Sequence, residues 1–176
     1  RAGSSLVGSR EMISKVYFPR MILPASSSMA VLVDFMVGLA TIVILFAVYK
    51  VTLTWNLFAI PVLVLVNLLL SVGVSLWVSA FSVYYRDFIY ALPFLIQAWM
   101  YASPVAYDTS IVPEQWYSLY SLNPMVGVIE GFRWSLLGGT EFPLLPLGIS
   151  LGMSLVIFFS GAFIFRRIER SFADVI

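Results

Sequence analysis

Three ionisable side chains interrupt the apolar body of this 176-residue chain and are its candidates for chemistry: Asp34, Glu130 and Arg133. Acid–base work needs such groups within hydrogen-bond reach of a substrate. They are too few and too far apart in sequence to read as a paired-carboxylate site. The chain has no cysteine and no histidine, which excludes disulfides, imidazole metal sites and Ser–His or Cys–His nucleophile pairs within it. A phosphate-cradling Gly-x-x-x-x-Gly-Lys-Ser/Thr loop is also missing, so ATP-driven work would need a nucleotide site on another chain. Basic residues are scattered among apolar ones, leaving no footprint for nucleic acid. The second candidate group is aromatic. Tyr107, Trp116, Tyr117, Tyr120 and Trp134 crowd one polar stretch, where such rings either stack on sugars or anchor in lipid headgroups.

The elements that must position these residues are greasy. The composition is 61% hydrophobic and only 11% charged, against about 25% charged in a typical soluble domain. Val51 to Tyr85 contains no Asp, Glu, Lys or Arg, and crossing a bilayer takes roughly 20 apolar residues as a helix. Lipid offers the backbone no hydrogen-bond partners, so such runs read as helices. Transmembrane helices are predicted at 28–49, 57–82, 88–107 and 143–165. The fold class is all-α, a polytopic membrane protein, with residues 1–176 forming a single transmembrane domain.

Charge orients it. Arg1, Arg10, Lys15, Arg20, Arg86, Arg166, Arg167 and Arg170 fall on one side of the predicted spans, and only Lys50 and Arg133 on the other. The positive-inside rule then puts both termini in the cytoplasm. The abrupt opening Arg1-Ala-Gly-Ser-Ser reads as a truncated start, with helices expected to precede it.

Residues 10–23 mix Arg10, Lys15 and Arg20 with Ile13, Tyr17 and Phe18. The segment is too charged to span and too apolar to be a free tail, so it lies on the membrane surface or docks on a partner. Pro19 and Pro24 are expected to stop helix before the first span begins. Asp34, inside that span, is either a proton or ion relay or a carboxylate satisfied by a neighbouring helix. Asn67, Ser71, Ser75 and Ser79 recur every four residues, one helical stripe suited to close packing or to a polar lining. Gly148-x-x-x-Gly152 is a further close-approach signal. Residues 113–138 are expected outside the spans as short helices. Pro113 would take the first position of one. Asn123-Pro124 would open the next as N-cap and N1, and Gly138-Gly139 would close it. Its apolar face would hold Met125, Val128, Ile129, Phe132 and Leu136 beside a small stripe of Gly127, Gly131 and Ser135. At about 1.5 Å per residue it is too short for a ~30 Å core, hence re-entrant or superficial. Glu130 and Arg133, three apart, are placed to pair.

A series of motifs runs nearly end to end: Ile13-Ser-Lys-Val-Tyr-Phe-Pro-Arg-Met-Ile-Leu-Pro24, Val33-Asp34-Phe35, Tyr85-Arg86-Asp87, Asn123-Pro-Met-Val-Gly-Val-Ile-Glu-Gly-Phe-Arg-Trp-Ser-Leu-Leu-Gly138 and Phe172-Ala-Asp-Val-Ile176. It resembles the permease subunit of bacterial ABC exporters for polysaccharides and polyol phosphates of the O-antigen, capsule and teichoic-acid type. The resemblance implies six spans, of which this chain would hold the last four. It implies an amphipathic cytoplasmic coupling helix seated on the ATPase, carried by Arg10, Glu11, Ile13, Lys15, Tyr17, Phe18, Pro19 and Arg20. It implies short re-entrant gate helices over 113–138 on the periplasmic side. Tyr107, Trp116, Tyr117, Tyr120, Asn123, Pro124, Glu130, Arg133 and Trp134 would then belong to channel or gate, with Asp34 and Asn67 as intramembrane polar groups.

The function expected is outward movement of a lipid-linked polysaccharide across the bacterial inner membrane. ATP and Mg would sit on two copies of a partner ATPase, with no cofactor in this chain. A second permease copy would complete the channel, embedded in membrane lipid and without nucleic acid. The alternatives are an ABC exporter of drugs or small lipids, or an intramembrane glycosyl or acyl transferase relying on Asp34, Glu130 and Arg133.

Overall fold

The computed structural model describes residues 22–50, 55–85, 87–138 and 142–169. The described residues are helical and joined by turns, with no strand among them. Helix α1 runs Ile22–Tyr49, α2 Ile60–Tyr84, α3 Phe88–Tyr101, α4 Glu114–Tyr120, α5 Pro124–Leu137 and α6 Leu144–Glu169. Short 3₁₀ turns at Trp55–Ala59 and Thr109–Ile111 lead into α2 and follow α3. Among the described residues, three segments are long and apolar enough to cross a bilayer: Leu32–Tyr49, Trp55–Val83 and Leu144–Ile168. The proposed coupling residues Arg10, Glu11, Ile13, Lys15, Tyr17, Phe18, Pro19 and Arg20 lie outside the described residues.

Proline placement explains several helix starts and corrects one expectation. Pro61 and Pro146 fall in the first turns of α2 and α6, where proline is tolerated because first-turn N–H groups have no partner within the α-helix. Pro24 lies within α1, whose described range starts at Ile22, so the chain is helical at Pro24 where a stop was expected. Pro93 differs, sitting inside α3. That helix has 14 residues and ends at Tyr101, short of the predicted 107. At about 1.5 Å per residue it is roughly 21 Å long. Residues 102–107 turn instead of continuing it. At the end of α6, Arg166 and Arg167 face the negative helix terminus and suit it.

The chain divides into two compact units. Within the described residues, one draws on the chain up to Ala30, on Leu68–Trp99 and on the chain from Leu155; the other comprises Val31–Asn67 and Met100–Ser154. The core of the first is a seam between α2 and α6. Leu76, Ala80, Val83 and Phe165 are buried together, with Val72, Ala162, Ile164 and Ile168 packed around them. Glycine sets the spacing. A Cβ on Gly73 would lie 2.8 Å from the Phe158 nitrogen, and one on Gly161 would lie 2.8 Å from the Gly73 carbonyl oxygen. The Trp77 indole donates across the seam to the Ser160 hydroxyl at 3.1 Å.

The predicted serine stripe is partly inside: Ser75 and Ser79 are buried. Ser75 donates to the carbonyls of Ser71 and Val72 on its own helix, and Ser82 likewise to Val78. In these cases the hydroxyls act as small, self-satisfied residues. Gly148 and Gly152 make no close approach to the described residues, among which a Cβ at either would meet nothing within 4 Å. Along α1, Val33, Val37, Ile44 and Val48 are largely exposed, and no residue of Leu32–Tyr49 is buried. Apolar surface this continuous suits lipid or another chain, not water.

Candidate functional site

Tyr107, Tyr120, Asn123 and Arg133 come together in the second unit on α5 and the turns after α3, whereas Trp116 on α4 and Asp34 on α1 are exposed. Helix α5 starts where the residues dictate. The Asn123 side chain accepts from the Met125 N–H at 3.0 Å, and Pro124 follows at N1. Gly138 ends it at φ 65°, a left-handed conformation favouring glycine, while its N–H donates to the Trp134 carbonyl. Helix α4 instead has Pro113 as its N-cap, without a side-chain hydrogen bond, and Glu114 as its first residue.

Burial on α5 reverses the expected emphasis. The buried residues are Pro124, Val126, Gly127, Val128, Gly131 and Ser135, so the small-residue stripe faces inward. Of the anticipated apolar face, only Val128 is fully buried; Met125, Ile129, Phe132 and Leu136 are half-buried. A Cβ on Gly127 would collide with the Pro146 carbonyl of α6, and one on Gly131 with the Leu63 side chain of α2. The Gly127 N–H also donates to the buried Ser150 hydroxyl at 3.1 Å. Bulk at these positions would hold the helices apart.

Polar side chains then brace α5 along its length. At its start, the Asn123 amide donates to the Ala102 carbonyl at 3.1 Å and the Ser103 hydroxyl at 2.9 Å. Further along, Arg133 Nη2 donates to the carbonyls of Pro104 and Tyr107 at 3.0 and 3.2 Å. Its Nη1 lies 3.6 Å from the Asp108 carboxylate. Asp108, rather than Glu130, is thus the acid that Arg133 meets. At the far end, the Ser135 hydroxyl donates to the Asn56 carbonyl at 2.7 Å. The Asn56 amide reaches the Trp134 carbonyl at 3.5 Å. Turns leave carbonyls that no helix ladder serves, and these donors serve them.

The rings are divided between packing and display. Trp134 meets Phe142 edge-on at 4.8 Å, and Phe35 of α1 lies 5.6 Å from Phe132. Tyr120 donates to the Tyr107 hydroxyl at 3.0 Å, which in turn donates to the Tyr101 carbonyl at 3.1 Å. Trp116 is exposed, and Tyr117 and Glu130 are half-buried. Burial, then the Tyr107 hydrogen bond, pushes the Tyr120 hydroxyl above the usual tyrosine range. Burial and the nearby Glu130 charge raise Tyr117. Asp108 is lowered, first by the backbone N–H of Ser110, with Arg133 a lesser contributor. Asp34 sits on an exposed face of α1 and Asn67 is half-buried on α2.

Sequence reasoning missed Asp108, Ser103, Asn56 and Ser150. Asp108-Thr-Ser110 carried a readable capping signal, an acid two residues before an N–H it can accept from; the others carried none, because their partners are distant in sequence.

The family described as ABC-2 type transporter matches residues 2–137. The chain belongs to that family. This ABC-2 type protein, with three long apolar helices among its described residues, is a multi-pass membrane protein and a transporter component. It is similar to the O-antigen export system permease protein RfbA of Myxococcus xanthus, 26% identical over 175 residues, covering 98% of this chain and 67% of that one. A Klebsiella pneumoniae protein of the same description is 25% identical, covering 98% and 66%. The ABC-2 type chain thus spans about two thirds of the length of these relatives.

Proposed function

We propose that this chain is the permease part of an exporter that moves a lipid-linked polysaccharide, of the O-antigen, capsule or teichoic-acid type, outward across the bacterial inner membrane. ATP and Mg act on a separate ATPase subunit, and the chain itself makes and breaks no covalent bond. The observation that carries this reading is the likeness to O-antigen export permeases over 98% of the chain. Two permeases and two ATPases form the working unit, with a channel between the permeases. Both termini of the chain are cytoplasmic. Four helices cross the lipid, α3 together with the turns after it making the third crossing. The segment 113–138 faces the periplasm as the gate, and residues 10–20 seat on the ATPase through aromatic anchors and complementary charge.

The test is made in the source organism. Deleting the gene is expected to leave glycan on the cytoplasmic side and strip it from the surface, detected by surface staining beside whole-cell glycan. Phe18→Ala combined with Arg20→Glu is expected to weaken ATPase association at least tenfold and to cut surface glycan in step. Normal surface glycan in the deletion strain would overturn the function; normal association in the double variant would overturn the docking assignment.

A further inference from the structure

We infer that the 101–138 segment is split into a fixed part and a moving part: α5 is the braced keystone, and α4 is the lid, latched through Tyr120 to Tyr107. The inference rests on the gate reading above and says which half of the gate moves.

Burial separates the two helices. Six residues of α5 are buried, whereas none from Gln115 to Tyr120 in α4 is. Helix α5 is bonded at its start through Asn123, along its length through Arg133, and at its end through Ser135 and Asn56. Those partners lie on two separate stretches of chain, 102–108 and the turn before α2. Moving α5 would break several of these bonds at once and leave turn carbonyls without donors. It would also open the contacts that Gly127 makes with Pro146 and Ser150.

Helix α4 is held differently. It has seven residues and no side-chain cap at its start, and helices this short are unstable alone. Its large apolar residues Trp116 and Leu119 are exposed. Its end hinges on the turn into α5, where the Tyr120 carbonyl accepts from the Asn123 N–H and the Tyr117 carbonyl from Ser121, and the Tyr120 side chain reaches the 101–108 loop through one hydroxyl pair. Tyr107 is well placed as the catch, because Arg133 holds its carbonyl and Tyr101 its hydroxyl. The latch therefore closes onto the fixed part. Local openings draw on segments with few buried contacts, which α4 is and α5 is not.

Two experiments test the division. The first is hydrogen exchange on the full-length permease in lipid nanodiscs, alone and with its ATPase. Amides of 114–120 are expected to exchange at least tenfold faster than those of 126–137. Tyr120→Phe should speed the first set about fivefold, the worth of one net hydrogen bond, without moving the second. Equal rates in the two helices, or a Tyr120→Phe effect on both, would overturn the inference. The second pins the keystone. Asn56→Cys with Ser135→Cys, oxidised to a disulfide, is expected to leave surface glycan unchanged. Export that stops on oxidation and returns on reduction would show that α5 moves, and would overturn the inference. An ATPase that fails to associate, or a deletion strain with normal surface glycan, would remove the export reading while the exchange result still decides which helix is fixed.

Discussion

The α2–α6 seam of the first unit and the braced α5 of the second are both tight, and they become tight in different ways. The seam lacks side chains where it matters: Gly73 and Gly161 let two backbones approach, and the flanking serine hydroxyls fold back on their own helix or accept from Trp77. Around α5 the neighbours include irregular turns, and donors from Asn123, Arg133 and Ser135 bind turn carbonyls. Two regular helices have no spare backbone groups to serve, so volume is the main determinant of their fit, with one side-chain bond from Trp77 to Ser160 across it. A helix against turns must also settle hydrogen-bond accounts. The seam should therefore fail when atoms are added, and the bracing when donors are removed.

Adding atoms gives the largest expected effect. Gly73→Leu places a side chain where even a Cβ lies 2.8 Å from backbone that cannot swing aside. A loss of about 3 kcal/mol is expected, at the upper end for overpacking, read as lower folded yield and Tm in detergent or nanodiscs. Gly148→Ala is the matched control. Its Cβ meets nothing among the described residues, so helix propensity alone should stabilise it by about 0.5–1 kcal/mol. If Gly148→Ala instead destabilises the intact protein, a helix from outside the described residues covers that face.

Removing donors comes next. Arg133→Met keeps most of the stem but strands the Pro104 and Tyr107 carbonyls. About 2 kcal/mol should be lost, the usual worth of hydrogen bonds from a charged donor. Arg133→Lys should recover little, because one ammonium does not reproduce the planar fork that reaches both carbonyls. Full recovery by lysine would mean that charge, and not geometry, braces α5.

The same contrast explains what could be read from the residues alone. Helices α1, α2 and α6 follow from unbroken apolar runs, and both ends of α5 follow from Asn123-Pro124 and Gly138, because each signal is local. The end of α3 at Tyr101 was not legible: residues 102–107 are apolar enough to continue a span, and only their tertiary bonds to Asn123 and Arg133 mark them as turns. The spacing of Gly148 and Gly152 suggested a close approach that the described residues do not make, the small stripe of Gly127 and Gly131 does carry close contacts, and Gly73 and Gly161 were not singled out because their partners lie far away in sequence. Arg133 was expected to pair with Glu130, and its bonds to the Pro104 and Tyr107 carbonyls were not legible, since a sequence shows a donor without showing its acceptors.

The smallest effect concerns the outer rim of that bracing. Asp108 accepts from the Ser110 N–H at 2.9 Å and faces Arg133 at 3.6 Å, with its side chain well exposed. Its pKa is lowered from the ordinary 3.8, so the folded state favours the ionised form. Its contribution is then fully present above pH 3.8 and is lost as pH falls through the lowered value. Asp108→Asn can still cap the 3₁₀ turn through its side-chain oxygen but no longer titrates. Thermal stability of the variant, followed from pH 6 down to about pH 2, should therefore show a shallower acid limb than the parent protein. The difference should shrink when Arg133→Met is added, because the two groups share one contact and their effects are not additive. An acid limb unchanged in Asp108→Asn would mean that this carboxylate gains nothing from folding, and would leave Asn123 and the Arg133–carbonyl bonds as the working part of the brace.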